Sequence, residues 1–119
     1  MNTQQIAHRL AELCRQGQFE AAQKELFADN AVSIEPEATA AFPKETKGLS
    51  AIIEKGHKFS GMLEQVHGCT ASEPLISGNA IAMTLALDVT MKGRGRTKLE
   101  ELCVYEVKEG KIASEQFFM

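Results

Sequence analysis

Asn79-Ala80-Ile81-Ala82-Met83-Thr84-Leu85-Ala86-Leu87-Asp88-Val89-Thr90-Met91-Lys92 alternates large apolar residues with small or polar ones over its whole length. Successive side chains of a strand point to opposite faces, so this stretch predicts one long strand. Ile81, Met83, Leu85, Leu87, Val89 and Met91 share its apolar face, and that face needs a cover. The other face, with Asp88 and Thr90, is polar, as expected when helices pack on one side only.

The neighbouring segments extend the sheet. Lys92-Gly93-Arg94-Gly95-Arg96 reads as a hairpin tip, and Thr97 to Val107 as the next strand. Lys108-Glu109-Gly110 reads as a three-residue hairpin loop with Gly in a left-handed position, followed by a last strand from Lys111 to Met119. Upstream, Gln65 to Glu73 predicts another strand. The cover comes from the first half of the chain. Ile6, Leu10, Leu13 and Cys14 recur at helical spacing from Thr3 to Arg15, and Gly17 stops that helix. Phe19, Ala22, Leu26 and Phe27 form the stripe of a second helix, joined to the first by the tight Gln16-Gly17-Gln18 turn. Ala31 to Glu35 predicts a short strand closed by Pro36, which cannot donate to a ladder. Residues 36–48 read as a loop over the open end, packed through Phe42. A third helix, from Leu49 or Ser50 to Leu63, carries Ile52, Gly56, Phe59 and Leu63 on one stripe, with Ser50 as its cap. Gly56 suggests room for a ligand or a crossing backbone.

Turn geometry then says which side chains meet. Setting Val107 opposite Lys111 places Tyr105 against Ala113, Cys103 against Glu115 and Glu101 against Phe117, so Glu101 and Glu115 become diagonal neighbours. Setting Met91 opposite Thr97 brings Leu87 beside Glu101 and Leu85 beside Cys103. Two carboxylates thus lie on an apolar face, and a one-residue slip in either turn would move them to the other face. Glu35, at the end of its strand, is expected at the mouth of the same enclosure.

The bulk properties fix the class. At 119 residues the chain is one domain, 1–119, with one core. Its formal charge of −3 gives no electrostatic reason to bind nucleic acid. The polar start, Met1-Asn2-Thr3-Gln4-Gln5, lacks the pattern of a secretory signal, and no apolar run reaches bilayer length, so the expected setting is the cytoplasm, with no membrane partner. Cys14, Cys69 and Cys103 are odd in number and widely spaced, which suggests free thiols rather than a disulfide framework or a zinc site.

The order helix, helix, short strand, helix, then long antiparallel strands resembles the NTF2-like cone, which includes ketosteroid isomerases and SnoaL-like polyketide cyclases. Gly17, Phe27-Ala28-Asp29-Asn30-Ala31, Lys47-Gly48 and Val107-Lys108-Glu109-Gly110-Lys111-Ile112 carry the resemblance, which covers nearly the whole chain. The tail, Glu100 to Val107 followed by Glu115-Gln116-Phe117-Phe118, is similar to SnoaL-like domains of undefined function, and Pro74, His67 and Asp88-Val89-Thr90 suit that group. The resemblance implies an α+β cone: three N-terminal helices on a strongly curved, mostly antiparallel sheet. It also implies a pocket between them and a homodimer packed through the outer sheet face. Glu35 before Pro36 matches the general base of the isomerases, an Asp there. Their oxyanion donors, a Tyr and a protonated Asp, fall near Ala11 and at Cys103 in this chain. One such donor is worth about 3 to 4 kcal/mol, so steroid isomerisation is not expected.

The candidate catalytic residues are therefore Glu35, Glu101, Glu115 and His57. Glu35 is either a general base or a strand-end carboxylate that reaches solvent. Glu101 and Glu115 either share a proton and bind a cationic group, or bond to Lys55, Tyr105 or His57 as a structural network. His57 is an acid or base of the pocket, or an exposed helix histidine. Phe59, Met83, Leu85, Leu87, Cys103, Tyr105 and Phe117 are the candidate ligand-lining residues. Tyr105 supplies a hydroxyl for a ligand, whereas Cys103, with no basic partner, is most simply a core hydrophobe. No His/Glu pair has metal-ligand spacing, so no metal or cofactor is expected. The expected activity is small-molecule binding, with or without cofactor-independent acid/base catalysis at Glu35. The alternative is a non-catalytic dimerisation or protein-interaction module that uses the outer sheet face.

Overall fold

The computed structural model describes residues 1–119, in which three helices cover one face of a seven-stranded sheet. The elements are α1 (Thr3–Arg15), α2 (Phe19–Leu26), β1 (Phe27–Ile34), β2 (Glu45–Lys47), α3 (Leu49–Ser60), β3 (Leu63–Ala71), β4 (Leu75–Ser77), β5 (Ala80–Met91), β6 (Gly95–Lys108) and β7 (Lys111–Phe118). The strand order is β2-β1-β7-β6-β5-β3, with β4 also paired to β5. All pairs are antiparallel except β1 with β7. The class is α+β, and bulges in the β1–β7, β3–β5 and β6–β7 pairs add twist and bend to the sheet.

Local chemistry sets the helix limits. Asn2 caps α1 by accepting from the Gln5 N–H at 2.8 Å, and the Gln5 side chain accepts from the Asn2 N–H at 2.9 Å, so two otherwise orphaned donors are satisfied together. Ile6, Ala7, Leu10, Ala11, Leu13 and Cys14 bury the inner stripe of α1, which packs on β3 and β5. Helix α2 stops at Leu26, one residue earlier than its apolar stripe predicts, because Phe27 already has extended backbone and opens β1. Helix α3 begins at Gly48 with no side-chain cap, so Ser50 does not cap it. The predicted loop 36–48 contains β2, which pairs with the end of β1, and the Glu35 N–H donates to the Lys44 carbonyl at 2.7 Å. Lys58 of α3 reaches the Ala41 carbonyl and lies 5.2 Å from the centre of the Phe42 ring, which holds this segment against the helix.

Gly56 admits neither a ligand nor a crossing chain: a methyl group there would meet nothing within 4 Å. Its effect is to weaken the helix. Gly56→Ala should therefore stabilise the protein by about 1 kcal/mol. Thermal unfolding checks this, with a rise in Tm of about 4 °C expected.

The long strands keep the predicted faces but not the predicted partners. In β5–β6, Met91 pairs with Gly95 rather than Thr97, so Leu85 faces Glu101, Met83 faces Cys103 and Leu87 faces Leu99. In β6–β7 the connection is a two-residue turn, Glu109-Gly110, with φ of +52° and +76°, and Lys108 pairs with Lys111. Both central residues of a type I′ hairpin turn need positive φ. This shorter turn alone would have turned the β7 side chains to the opposite face. The bulge between the Val107–Ile112 and Glu106–Ser114 pairs restores them, and beyond it Tyr105 faces Glu115 and Cys103 faces Phe117. Each register is thus displaced by two residues, which preserves the face.

One core lies between the helices and this face. It joins Ile6, Leu10 and Cys14 of α1, Leu26 of α2 and Ile52 of α3 to Ile81, Met83, Leu85, Cys103, Tyr105 and Ile112 of the sheet. Phe27 meets Tyr105 edge-on, with ring centres 6.5 Å apart. No helix is long and apolar enough to cross a membrane.

Candidate functional site

Strand β1 delivers Ser33 and Glu35 to one side, two residues apart, as the strand period requires. Ser33 is fully buried, and its parallel partner in β7 is Glu115, also buried. Helix α3 packs on β1, with Ile52 pressed into the core. Lys55, one turn further on, lies on the same side of the helix. Its Nζ donates to Ser33 Oγ at 2.6 Å and to Glu35 Oε2 at 2.9 Å. The same ammonium stands 5.6 Å from the centre of the Phe117 ring. The Lys55 and Glu35 side chains are 14% and 25% exposed, so this pair is much better shielded than a surface salt bridge.

The other two carboxyls complete the group. Burial pushes the Glu115 carboxyl up to about 7, against the hydrogen bond from the Ser33 hydroxyl and the charge of Lys55, while the charge of Glu35 raises it further. Burial likewise pushes Glu101 up to about 7, helped by the charges of Glu35 and Glu115 and opposed by Lys55. Cys103 Sγ lies 3.9 Å from Glu101 Oε1, a weak donor at most. The predicted diagonal contact between Glu101 and Glu115 is replaced by a longer arrangement, with the Cys103–Phe117 pair between them. The cluster thus holds one ammonium among three carboxyls. Near neutrality two of those carboxyls are poised to give up or take a proton.

His57 is not part of this group. Two residues beyond Lys55 on an α-helix is about 200° around the axis. The His57 side chain is 57% exposed, bonded to Glu20 of α2 and 3.4 Å from Glu54. The bond with Glu20 is the main cause of its raised pKa. Tyr105 is also removed from ligand reach: it is buried opposite Glu115, and burial pushes its hydroxyl pKa up. Met83, Leu85 and Cys103 are core side chains as well. Phe117 is partly buried against the core, while Leu87, between Cys69 and Leu99, and Phe59 are half-buried outside it. What a molecule could touch is therefore the rim: Glu35, Glu101, Lys55 and Phe117.

A surface hollow of about 440 Å³ opens where β7 ends, bordered by Leu85, Glu101, Leu102, Phe118 and Met119. It shares only Glu101 with the cluster and opens widely to solvent. Proton transfer favours shielded groups, so the cluster rather than this hollow is the candidate site. No group of three His, Cys, Asp or Glu side chains is arranged to hold a metal ion. Ser33 is the member that the sequence reading missed. Its position two residues before Glu35, on the same strand face, was the available signal.

A family model described as a SnoaL-like domain matches residues 1–119. Comparison with curated proteins finds no significant match. Among solved structures, a protein from Mesorhizobium loti described as a SnoaL-like polyketide cyclase is 31% identical, with each chain covered over 100% of its length and a TM-score of 0.90. A protein of unknown function with a cystatin-like fold from Xanthomonas campestris is 19% identical, covering 99% of this chain and 90% of that one, with a TM-score of 0.80. An NTF2-like protein from Burkholderia pseudomallei is 13% identical, with coverage of 100% and 91% and a TM-score of 0.81. The last two are similar in fold alone.

Proposed function

The chain belongs to the SnoaL-like domain family, and on that premise we propose that it binds a small, partly polar molecule at the Glu35–Lys55–Glu101–Glu115 cluster and moves a proton on it without a cofactor. Glu35, at the rim, is the general base. Glu101 and Glu115, which retain protons near neutrality, are the acids that supply one to a developing oxyanion or leaving group. Lys55 keeps the base oriented, and Phe117 offers an apolar wall. The reading rests on one observation: an ion-paired carboxylate beside two shielded carboxyls raised to about 7. Environments that separate carboxyls in this way are how one fold provides acid and base together.

A thermal-shift screen of small enolisable carbonyl compounds and phenols, followed by turnover assays on the hits, tests the proposal. Glu35→Gln should keep the fold and the thermal shift while lowering turnover at least about 100-fold, the usual contribution of a positioned base. Turnover that survives in Glu35→Gln would remove the base assignment, and a screen with no stabilising compound would remove the ligand itself.

A second surface supports self-association. Leu102 and Phe118 face each other across β6 and β7 on the uncovered side of the sheet and are 41% and 46% exposed. Large exposed apolar side chains side by side mark a contact surface, and we propose a homodimer through this face. Light scattering should give twice the chain mass for the wild type and the single mass for Leu102→Glu; a monomeric wild type would refute the assignment. If this surface proves essential while the cluster binds nothing, the non-catalytic module is the correct reading. Cys14, Cys69 and Cys103 are unpaired thiols, which suits the proposed cytoplasmic setting.

A further inference from the structure

Ser33 has one hydroxyl proton and two lone pairs, while the Lys55 ammonium has donors only. At 2.6 Å, Lys55 must therefore donate and Ser33 Oγ must accept. The single proton of Ser33 is then free for its neighbour across the parallel pair, Glu115, with which it hydrogen-bonds. The Glu115 oxygen nearest Ser33 is consequently an acceptor. Any proton that Glu115 carries must sit on its other oxygen. The second donor of Lys55 is committed to Glu35, whose carboxylate it holds at 2.9 Å.

We infer that Lys55, acting through Ser33, fixes which oxygen of Glu115 carries a proton and so gives Glu35 and Glu115 opposite parts, acceptor and donor. Lys55 and Ser33 are thus positioning residues. Those parts rest on the proton-transfer reading above, whereas the relay itself is a property of the unliganded protein. The arrangement is directional because each link permits only one sense. The ammonium cannot accept, the serine has one proton, and the carboxyl has two distinguishable oxygens. The ionisable groups that face Glu115 are Glu35 beyond β1, Lys55 on α3, Cys14 on α1, and Glu101, Cys103 and Tyr105 on β6. Of these, Lys55 is the only cation. It is also the only one linked to Glu115 through a residue that contacts both.

The test is a carbon-13 NMR titration of the glutamate carboxyls in the full-length, ligand-free protein, comparing wild type with Ser33→Ala, Lys55→Met and Lys55→Arg. Ser33→Ala removes one buried oxygen and should raise the Glu115 midpoint by about one unit, the size of one lost hydrogen bond to a carboxylate, while leaving Glu35 in place. Lys55→Met should raise Glu115 and Glu101 together, and Lys55→Arg should return both toward wild type. A Glu115 midpoint unchanged in folded Ser33→Ala overturns the relay. So does a Lys55→Met protein in which only Glu35 moves. If Lys55→Met does not fold, the Ser33→Ala result alone decides. Because no turnover is read, an inactive protein can still possess the relay, and an active one can be shown to lack it.

Discussion

Unfolding free energy should fall by about 3 kcal/mol for each fully shielded carboxyl as pH rises from about 5 to about 9, at roughly 1.4 kcal/mol per pKa unit. The cause lies in Glu115 and Glu101, each raised from 4.5 to about 7. A carboxyl with a raised folded pKa binds its proton more tightly in the folded state. Its contribution is fully present below the unfolded value and is lost as pH climbs through the folded one. The window therefore runs from about 4.5 to somewhat above 7. Glu20, Glu25 and Asp88 are shifted downward by Lys24, Arg9 and Arg96, so their linkage acts at lower pH, and all three are exposed enough for solvent to blunt it. Glu115→Gln imitates the protonated carboxyl: its carbonyl can accept from Ser33 and its amide can donate where the acid proton was. At pH 9 this variant should be more stable than wild type by about 2 to 3 kcal/mol, and at pH 5 nearly equal to it. Urea denaturation at several pH values measures both curves. A wild-type stability that is flat or rising across that window would mean that neither carboxyl is strained by burial.

The alternation in β5 was enough to place the sheet and its inner face, and helical spacing placed α1, α2 and α3, because those signals lie within one element. Register was less legible. The Lys108-Glu109-Gly110 sequence accommodates a two-residue or a three-residue loop, since Glu109 itself adopts positive φ, and the bulge at the start of β7 has no local marker. Glu101 and Glu115 reached the predicted face because two one-residue changes compensate. Strand β2 was hidden because Glu45-Thr46-Lys47 has no apolar period of its own and forms only by pairing with β1. At the site, the grouping of Glu35, Glu101 and Glu115 was readable from strand parity. The part played by Lys55 was not, because it depends on how α3 rotates over β1. The same rotation separates Lys55 from His57: helix geometry puts them on different sides, and only the contact of Ile52 with the core says which side faces inward.

That contact carries the second large effect. Ile52 is the one fully buried side chain of α3, so it anchors the helix that holds Lys55 over Ser33 and Glu35. Ile52→Ala should cost about 2 to 5 kcal/mol, combining lost transfer energy with a residual cavity, out of a total stability of roughly 5 to 15 kcal/mol. Ile52→Val, which removes one methylene and keeps the branch, should cost only about 0.5 to 1.5 kcal/mol. The loss should not stop at stability. Lys55 lies one turn from Ile52, and a helix that settles into the cavity carries the ammonium away from its 2.6 Å contact with Ser33. Glu115 then loses the cation that opposes its burial, so its carboxyl should titrate higher in Ile52→Ala than in wild type, although residue 52 bears no charge. Denaturant unfolding measures the first effect and a carboxyl titration of the folded variant the second. A stability loss below about 1 kcal/mol would show that α3 is docked mainly by Leu49 and its contacts with β2. A full loss with the Glu115 midpoint unmoved would show that α3 keeps its place over a cavity. The position of Lys55 would then be set by its ion pair with Glu35 rather than by core packing.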